Sequence, residues 1–135
     1  VRSLAGNYAE AEQNARDALT LYTEIGDPVH QAYALNEFGV VRRLQGDLDG
    51  AVSAHEEALR RYADLGDRFG QANAVRHLGV VHRIRGEQAA AVSAQDQALA
   101  IYTELESRGG LAAATAELGV LRRLDNDLAG AQSAL

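Results

Sequence analysis

Apolar positions along the chain recur at spacings of three and four, in two stripes for every forty residues. Ala34, Leu35, Phe38, Val41 and Leu44 make the first stripe, one face of an amphipathic helix. Leu48, Ala51, Val52, Ala54, Ala58, Leu59, Tyr62 and Leu65 make the second. Gly46-Asp47 separates them. Glycine ends a helix because it tolerates left-handed backbone, and an aspartate can cap the next helix through its carboxylate. Gly26-Asp27-Pro28 does the same ahead of the first stripe, with the proline where no N–H is needed. The pattern predicts helices over 28–45, 48–65, 68–85 and 88–105. It predicts a further helix from a Ser107 cap to about residue 125, started weakly by Gly109-Gly110, and the beginning of another from Leu128. At the front it predicts a stub over 1–4 and a helix over 7–25, with Asn7 and Glu10 forming a capping box.

The two-stripe unit repeats. With 26–65 laid over 66–105, about 18 of the 40 positions are identical, the self-similarity of a solenoid of stacked helix pairs. A third copy occupies 106–135. Residues 1–25 are the tail of an earlier one, since Gly6, Ala11, Ala18, Leu19 and Tyr22 fall in register with Gly46, Ala51, Ala58, Leu59 and Tyr62. No linker interrupts the series, so 1–135 reads as one array of a partial repeat (1–25), two full ones (26–65, 66–105) and a second partial one (106–135). In this register Val1 and Leu135 both fall inside helices, so the chain is expected to be a fragment of a longer protein. Ala32, Ala34 and Gly39 leave room for a neighbouring backbone, and Gly39, Gly79 and Gly119 are expected at close contacts between the paired helices.

The columns Leu35, Phe38-Gly39, Gly46, Ala51 and Ala58-Leu59 resemble the tetratricopeptide repeat, and the register holds in every copy. The departures are a period of 40 rather than about 34; Leu35, Val75 and Thr115 at the tryptophan position; Arg42, His82 and Arg122 at the tyrosine position; His55 and Gln95 at the phenylalanine position; and no closing proline. This long form with Gly-Asp punctuation is similar to repeats of Pins-type polarity adaptors and of large actinobacterial transcriptional regulators. The resemblance implies an all-α, right-handed superhelix of antiparallel hairpins whose inner helices line a concave groove for peptides or partner helices. It places Tyr33, Asn73 and Ala113 in one groove column, Asn36, Arg76 and Ala116 in a second, Val40, Val80 and Val120 in a third, and Arg43, Arg83 and Arg123 in a fourth.

Composition narrows the chemistry. The chain is 47% hydrophobic but only 5% aromatic, so alanine, leucine and valine must do the packing. It has no cysteine, hence no disulfide framework or thiolate metal site. No run approaches a membrane span and no signal peptide is present, which makes a cytoplasmic protein the expectation. All 13 basic residues are arginine, a usage expected of a GC-rich bacterial genome. His77 and His82 are five apart, about 140° around a helix, and do not make the same-face pair of a helical metal site. No phosphate-binding glycine loop and no catalytic spacing occurs, so neither an enzyme nor a cofactor or metal is expected.

The net charge is −6, but the signs are sorted. Arg42, Arg43, Arg76, Arg83, Arg85, Arg122 and Arg123 fall on the inner helices or their ends, and most carboxylates fall on the outer helices and turns. A basic groove on an acidic protein suits an acidic or phosphorylated segment and argues against nucleic acid. Arg43, Arg83 and Arg123 also precede Asp47, Glu87 and Asp127 by four residues, and Ser3 and Asn7 replace both members in the first copy. The column therefore reads either as ion pairs across the turn or as ligand-facing charge. The expectation is a non-catalytic module of a larger regulatory or signalling protein, binding a partner protein, a peptide or another domain of the same chain. The alternative is a peptide sensor that changes curvature. Val1, Leu4, Leu118, Leu121, Leu128 and Leu135 are expected on the open end faces, where molecules would stack end to end.

Overall fold

The computed structural model describes residues 4–134, with side chains through residue 130. These residues are all helical, in six elements: α1 (Leu4–Glu24), α2 (Pro28–Leu44), α3 (Leu48–Leu65), α4 (Arg68–Ile84), α5 (Gln88–Glu104) and α6 (Arg108–Ala134). Each packs on the next, forming an α-solenoid. In addition α2 touches α4 and α4 touches α6, whereas α1, α3 and α5 do not approach one another. The stack is therefore tighter along the side of α2, α4 and α6, which makes that side the concave one.

The turns follow from their residues. Gly26, Gly46, Gly66 and Gly86 all have φ between 68° and 84°, where a side chain would be strained. Asp27, Asp47 and Asp67 each accept a hydrogen bond at the following helix start, from the backbone N–H of His30 (3.1 Å), Gly50 (2.9 Å) and Gly70 (2.9 Å). Ser107 does the same for Gly110 at 3.3 Å. Pro28 takes the first helical position. Glu87 occupies the cap position of α5 without a side-chain bond to the backbone.

The core is built from repeated alanines. Ala32 and Ala72 on the inner helices, and Ala51, Ala91, Ala58 and Ala98 on the outer ones, are completely buried. Tyr62 and Tyr102 close the junctions between hairpins, each against a glycine of the following helix. A side chain on Gly70 would collide with the ring of Tyr62, and one on Gly110 with that of Tyr102. Gly110 is thus a packing requirement as well as a weak helix start.

Three sequence expectations fail at the chain ends. The turn expected at Gly6-Asn7 does not form: both residues lie inside α1, so Asn7 caps nothing, and Val1–Ser3 lie outside the described residues. The turn expected near residue 126 does not form either, and α6 runs straight through to Ala134. Asn126 stands where Gly46 and Gly86 stand in the earlier copies, so the left-handed turn lacks its glycine. With no outer helix folded back, a side chain on Gly119 would meet nothing, whereas one on Gly39 would overlap His55 and one on Gly79 would overlap Gln95. Finally, Leu118 and Leu121 are buried against α5 around Ala91. Of the expected end-face residues, Leu4 and Leu128 are exposed, while Val1 and Leu135 lie outside the described residues.

Candidate interaction surface

The concave side brings the arginine columns next to the facing helix. Arg83 of α4 donates from Nε to Glu117 of α6 at 2.9 Å, a pair with both side chains about three-quarters covered. Arg42 of α2 reaches back to Glu12 of α1 at 2.6 Å. Neither matches the expected pairing across the turn. Asp47 is a helix cap, and Glu87 accepts from His82 Nδ1 at 3.2 Å. Arg123 is exposed and forms no ion pair with Asp127 among the described residues, although the two lie four apart on α6.

Arg43 differs from Arg83. It stands 34 residues before His77, as Arg83 stands 34 before Glu117. Its Nε is buried and makes no hydrogen bond, and Arg43 forms no ion pair among the described residues. Beside it the rings of His55 (α3) and His77 (α4) stack at 5.0 Å and 6°. His55 is fully buried; its Nδ1 donates to Asn36 Oδ1 at 2.9 Å, an oxygen that can only accept. This leaves Nε2 as a bare lone pair, buried and unbonded. Burial first, and then the Arg43 and Arg76 charges, push His55 down to about 4. Burial, followed by the neighbouring His55, Arg76 and Arg43, pushes His77 down to about 3. At neutral pH both rings are uncharged and the two guanidiniums are the only charges of the cluster.

A second network lies one step along. Tyr102 donates its hydroxyl proton to Asn73 Oδ1 and accepts from Arg76 Nε at 3.2 Å. The Arg76 carbonyl accepts from Gln95 Nε2 at 3.0 Å. Of the remaining groove residues expected from sequence, Tyr33 is half exposed, Val40 and Val120 are partly covered, and Asn36 and Val80 are buried, offering a partner little surface. Arg43, Asn73 and Arg76 are thus gathered on one patch, while Arg123 stands apart from it. The roles of Glu117, Glu12, His55 and His77 were missed. The interval of 34 between Arg83 and Glu117 is the signal that would have found the first of them.

Among the described residues no group of three or more His, Cys, Asp or Glu could hold a metal ion. Nor is any helix among the described residues long and apolar enough to cross a membrane. No curated protein matches the chain. The family model for the tetratricopeptide repeat matches residues 1–64 and again 31–104. Such repeats generally mediate protein–protein interactions without catalysis. On the helix pairing, the alanine and glycine columns and this match, the chain belongs to the tetratricopeptide repeat family.

Proposed function

We propose that the array is a non-catalytic interaction module that holds an acidic peptide segment, extended or helical, along its concave side. The module would serve a larger regulatory or signalling protein of the bacterial cytoplasm, and the segment would come from a partner protein or from another domain of the same chain. One observation carries the reading: Arg43 and Arg76 are part-buried on the concave side and have no carboxylate partner among the described residues, although the protein as a whole has a charge of −6. Guanidinium groups in such a setting bind carboxylates through directed, charge-assisted hydrogen bonds. The bulk negative charge disfavours nucleic acid.

The test is fluorescence anisotropy with a twelve-residue peptide carrying glutamate at every third position and with its glutamine counterpart. The glutamate peptide should bind selectively, and its affinity should fall on raising salt from 50 to about 500 mM as screening shortens the range of the charges. Equal binding of both peptides, or of neither, would count against the reading. The same samples separate a rigid scaffold from a sensor, since a sensor's radius of gyration in X-ray scattering would contract on binding. End-to-end stacking through the exposed Leu4 and Leu128 is a further property of this reading. A strict monomer at millimolar concentration in light scattering would remove it.

A further inference from the structure

Large apolar side chains are exposed at the same places in successive copies of the repeat. Ile25, Leu65 and Leu105 make one column, Val29 and Phe69 another, and all five are between 41% and 70% exposed. They stand at the joints where an outer helix, α1, α3 or α5, gives way to the next inner one. Successive joints lie side by side. Arg68 at the second reaches Glu104 at the third at 3.0 Å, and the Phe69 ring meets Tyr102 of α5 edge-on at 6.0 Å. The five side chains thus form one apolar ridge along the joint edge, distinct from the Arg43 and Arg76 patch. The flanks of the ridge are acidic. Glu24, Asp64 and Glu104 immediately precede the first column, at the C-terminal ends of helices that have no basic residue in their last turn. A helix C-terminus repels a carboxylate, so one unfavourable placement recurs three times. Glu104 is answered by Arg68, but one repeat earlier Pro28 stands where Arg68 does. Asp64 accordingly forms no ion pair among the described residues, and neither does Glu24. The opposite edge also exposes a column, Leu44, Ile84 and Leu124, yet its bases are answered within the chain: Arg42 by Glu12, Arg83 by Glu117 and Arg85 by Asp49.

We infer that the joint edge is a second docking surface, for an amphipathic basic helix of a partner protein. The helix covers Ile25, Leu65 and Leu105 with its apolar side, removing the ridge from water. Arginines or lysines on its flanks meet Glu24 and Asp64 as Arg68 meets Glu104, and relieve the repulsion between each carboxylate and its helix end. A helix suits the edge better than an extended segment. An added strand gains its affinity from the backbone of a sheet edge, and the described residues are all helical. Stacked helices lie about 10 Å apart and a helix rises about 1.5 Å per residue, so the partner presents an apolar residue to each joint about every seven positions. The inference does not depend on the groove reading: the concave side and the joint edge carry opposite signs of charge and can be occupied together.

The experiment titrates the full chain with two alanine-based helical peptides of about 18 residues, each with leucine at every seventh position. The leucines are flanked by arginine in one peptide and by glutamine in the other. The arginine peptide should bind more tightly, lose affinity as salt rises, and shift the amide signals of residues 24–29 and 64–69 in NMR. Reversing both free acids, Glu24→Lys with Asp64→Lys, should weaken its binding by about tenfold or more. The same double variant should melt at an unchanged or higher temperature, because lysine suits a helix C-terminus; a structural role for the acids predicts a lower one. Leu65→Ser should also weaken binding, and Ile25→Ser, at the most exposed position of the ridge, repeats the test should Leu65→Ser melt early. Equal binding of the two peptides overturns the inference, as does wild-type affinity in both the charge-reversed and the serine variants. So do signal shifts confined to the concave side. Self-association of the protein alone in sedimentation, abolished by Leu65→Ser, would assign the ridge to a second copy and overturn the partner helix.

Discussion

Hairpins α2–α3 and α4–α5 are built on the same buried alanines and differ most where the outer helix crosses the inner glycine. In the first, His55 lies over Gly39 and ties itself to Asn36; in the second, Gln95 lies over Gly79 and ties itself to the Arg76 carbonyl. The family places a large apolar ring at this position. Here two different polar side chains occupy it, each making one inward hydrogen bond and each leaving one buried atom unpaired, Nε2 in His55 and Oε1 in Gln95. The glycine and the alanine layers set the hairpin, and the crossing residue is free to vary in chemistry as long as it fills the space. What changes is the response to protons at the crossing position, which is ionisable in the first hairpin and not in the second; the other shifted ring, His77, sits on α4 and stacks on His55 across the junction.

Acid gives the largest separation between them. In the folded protein His55 is held at about 4 against an ordinary 6.5, and His77 at about 3. Below pH 6.5 the unfolded chain takes up protons that the folded rings refuse. The stability tied to these rings is therefore intact above that pH and declines as pH falls toward 4. The loss for His55 is on the order of 3 kcal/mol at full effect, at about 1.4 kcal/mol per pH unit. Urea unfolding between pH 7 and 4 should show it. His55→Gln, which makes the first hairpin resemble the second, should remove the His55 share of the loss and leave that of His77; an unchanged profile would show that His55 does not titrate as placed.

Overpacking comes next. Gly39→Leu and Gly79→Leu force a side chain into His55 or Gln95 and should cost roughly 1–3 kcal/mol. Gly119→Leu meets open space and should stabilise α6 by up to about 1 kcal/mol through helix propensity. Three variants of one column would then differ in sign, and equal urea midpoints would show that the glycine contacts are absent.

The smallest effects concern ion pairs. Glu117→Gln removes the negative charge of a mostly covered pair and should cost about 1 kcal/mol. Glu57→Gln, which removes the charge facing Arg60 and Arg61 at the solvent-facing surface, should change stability less than Glu117→Gln does. Thermal melts at low and high salt distinguish the two, since salt screens the exposed pairs more strongly.

Much of the fold was legible because local rules and the repeat agree. The apolar stripes, the Gly-Asp turns and Pro28 place four central helices to within a residue or two. The ends misled because a turn needs more than its residues. Gly6 is in register yet lies inside α1, so a glycine at the right position does not by itself end a helix. The candidate site was half legible. Arg43, Arg76 and Arg83 could be assigned to the inner helices through the repeat resemblance. Their partners could not, because the α4–α6 and α2–α4 contacts join residues 34 apart, and spacing within a single helix points instead to Asp47 and Glu87. Asn36 is covered because its Oδ1 accepts from His55 of α3, a partner that spacing within α2 does not reveal.

Glu106 has the consequence with the widest reach. At the α5–α6 joint it stands in the left-handed region, φ 54°, where the other joints have glycine. A side chain in that conformation costs roughly 1–2 kcal/mol. A solenoid unfolds as a row of coupled units, so a strained joint is where the row separates first. Helix α6 should thus open ahead of the rest, its amides exchanging with deuterium earlier than those of α4 and α5. Glu106→Gly would redistribute that opening along the chain.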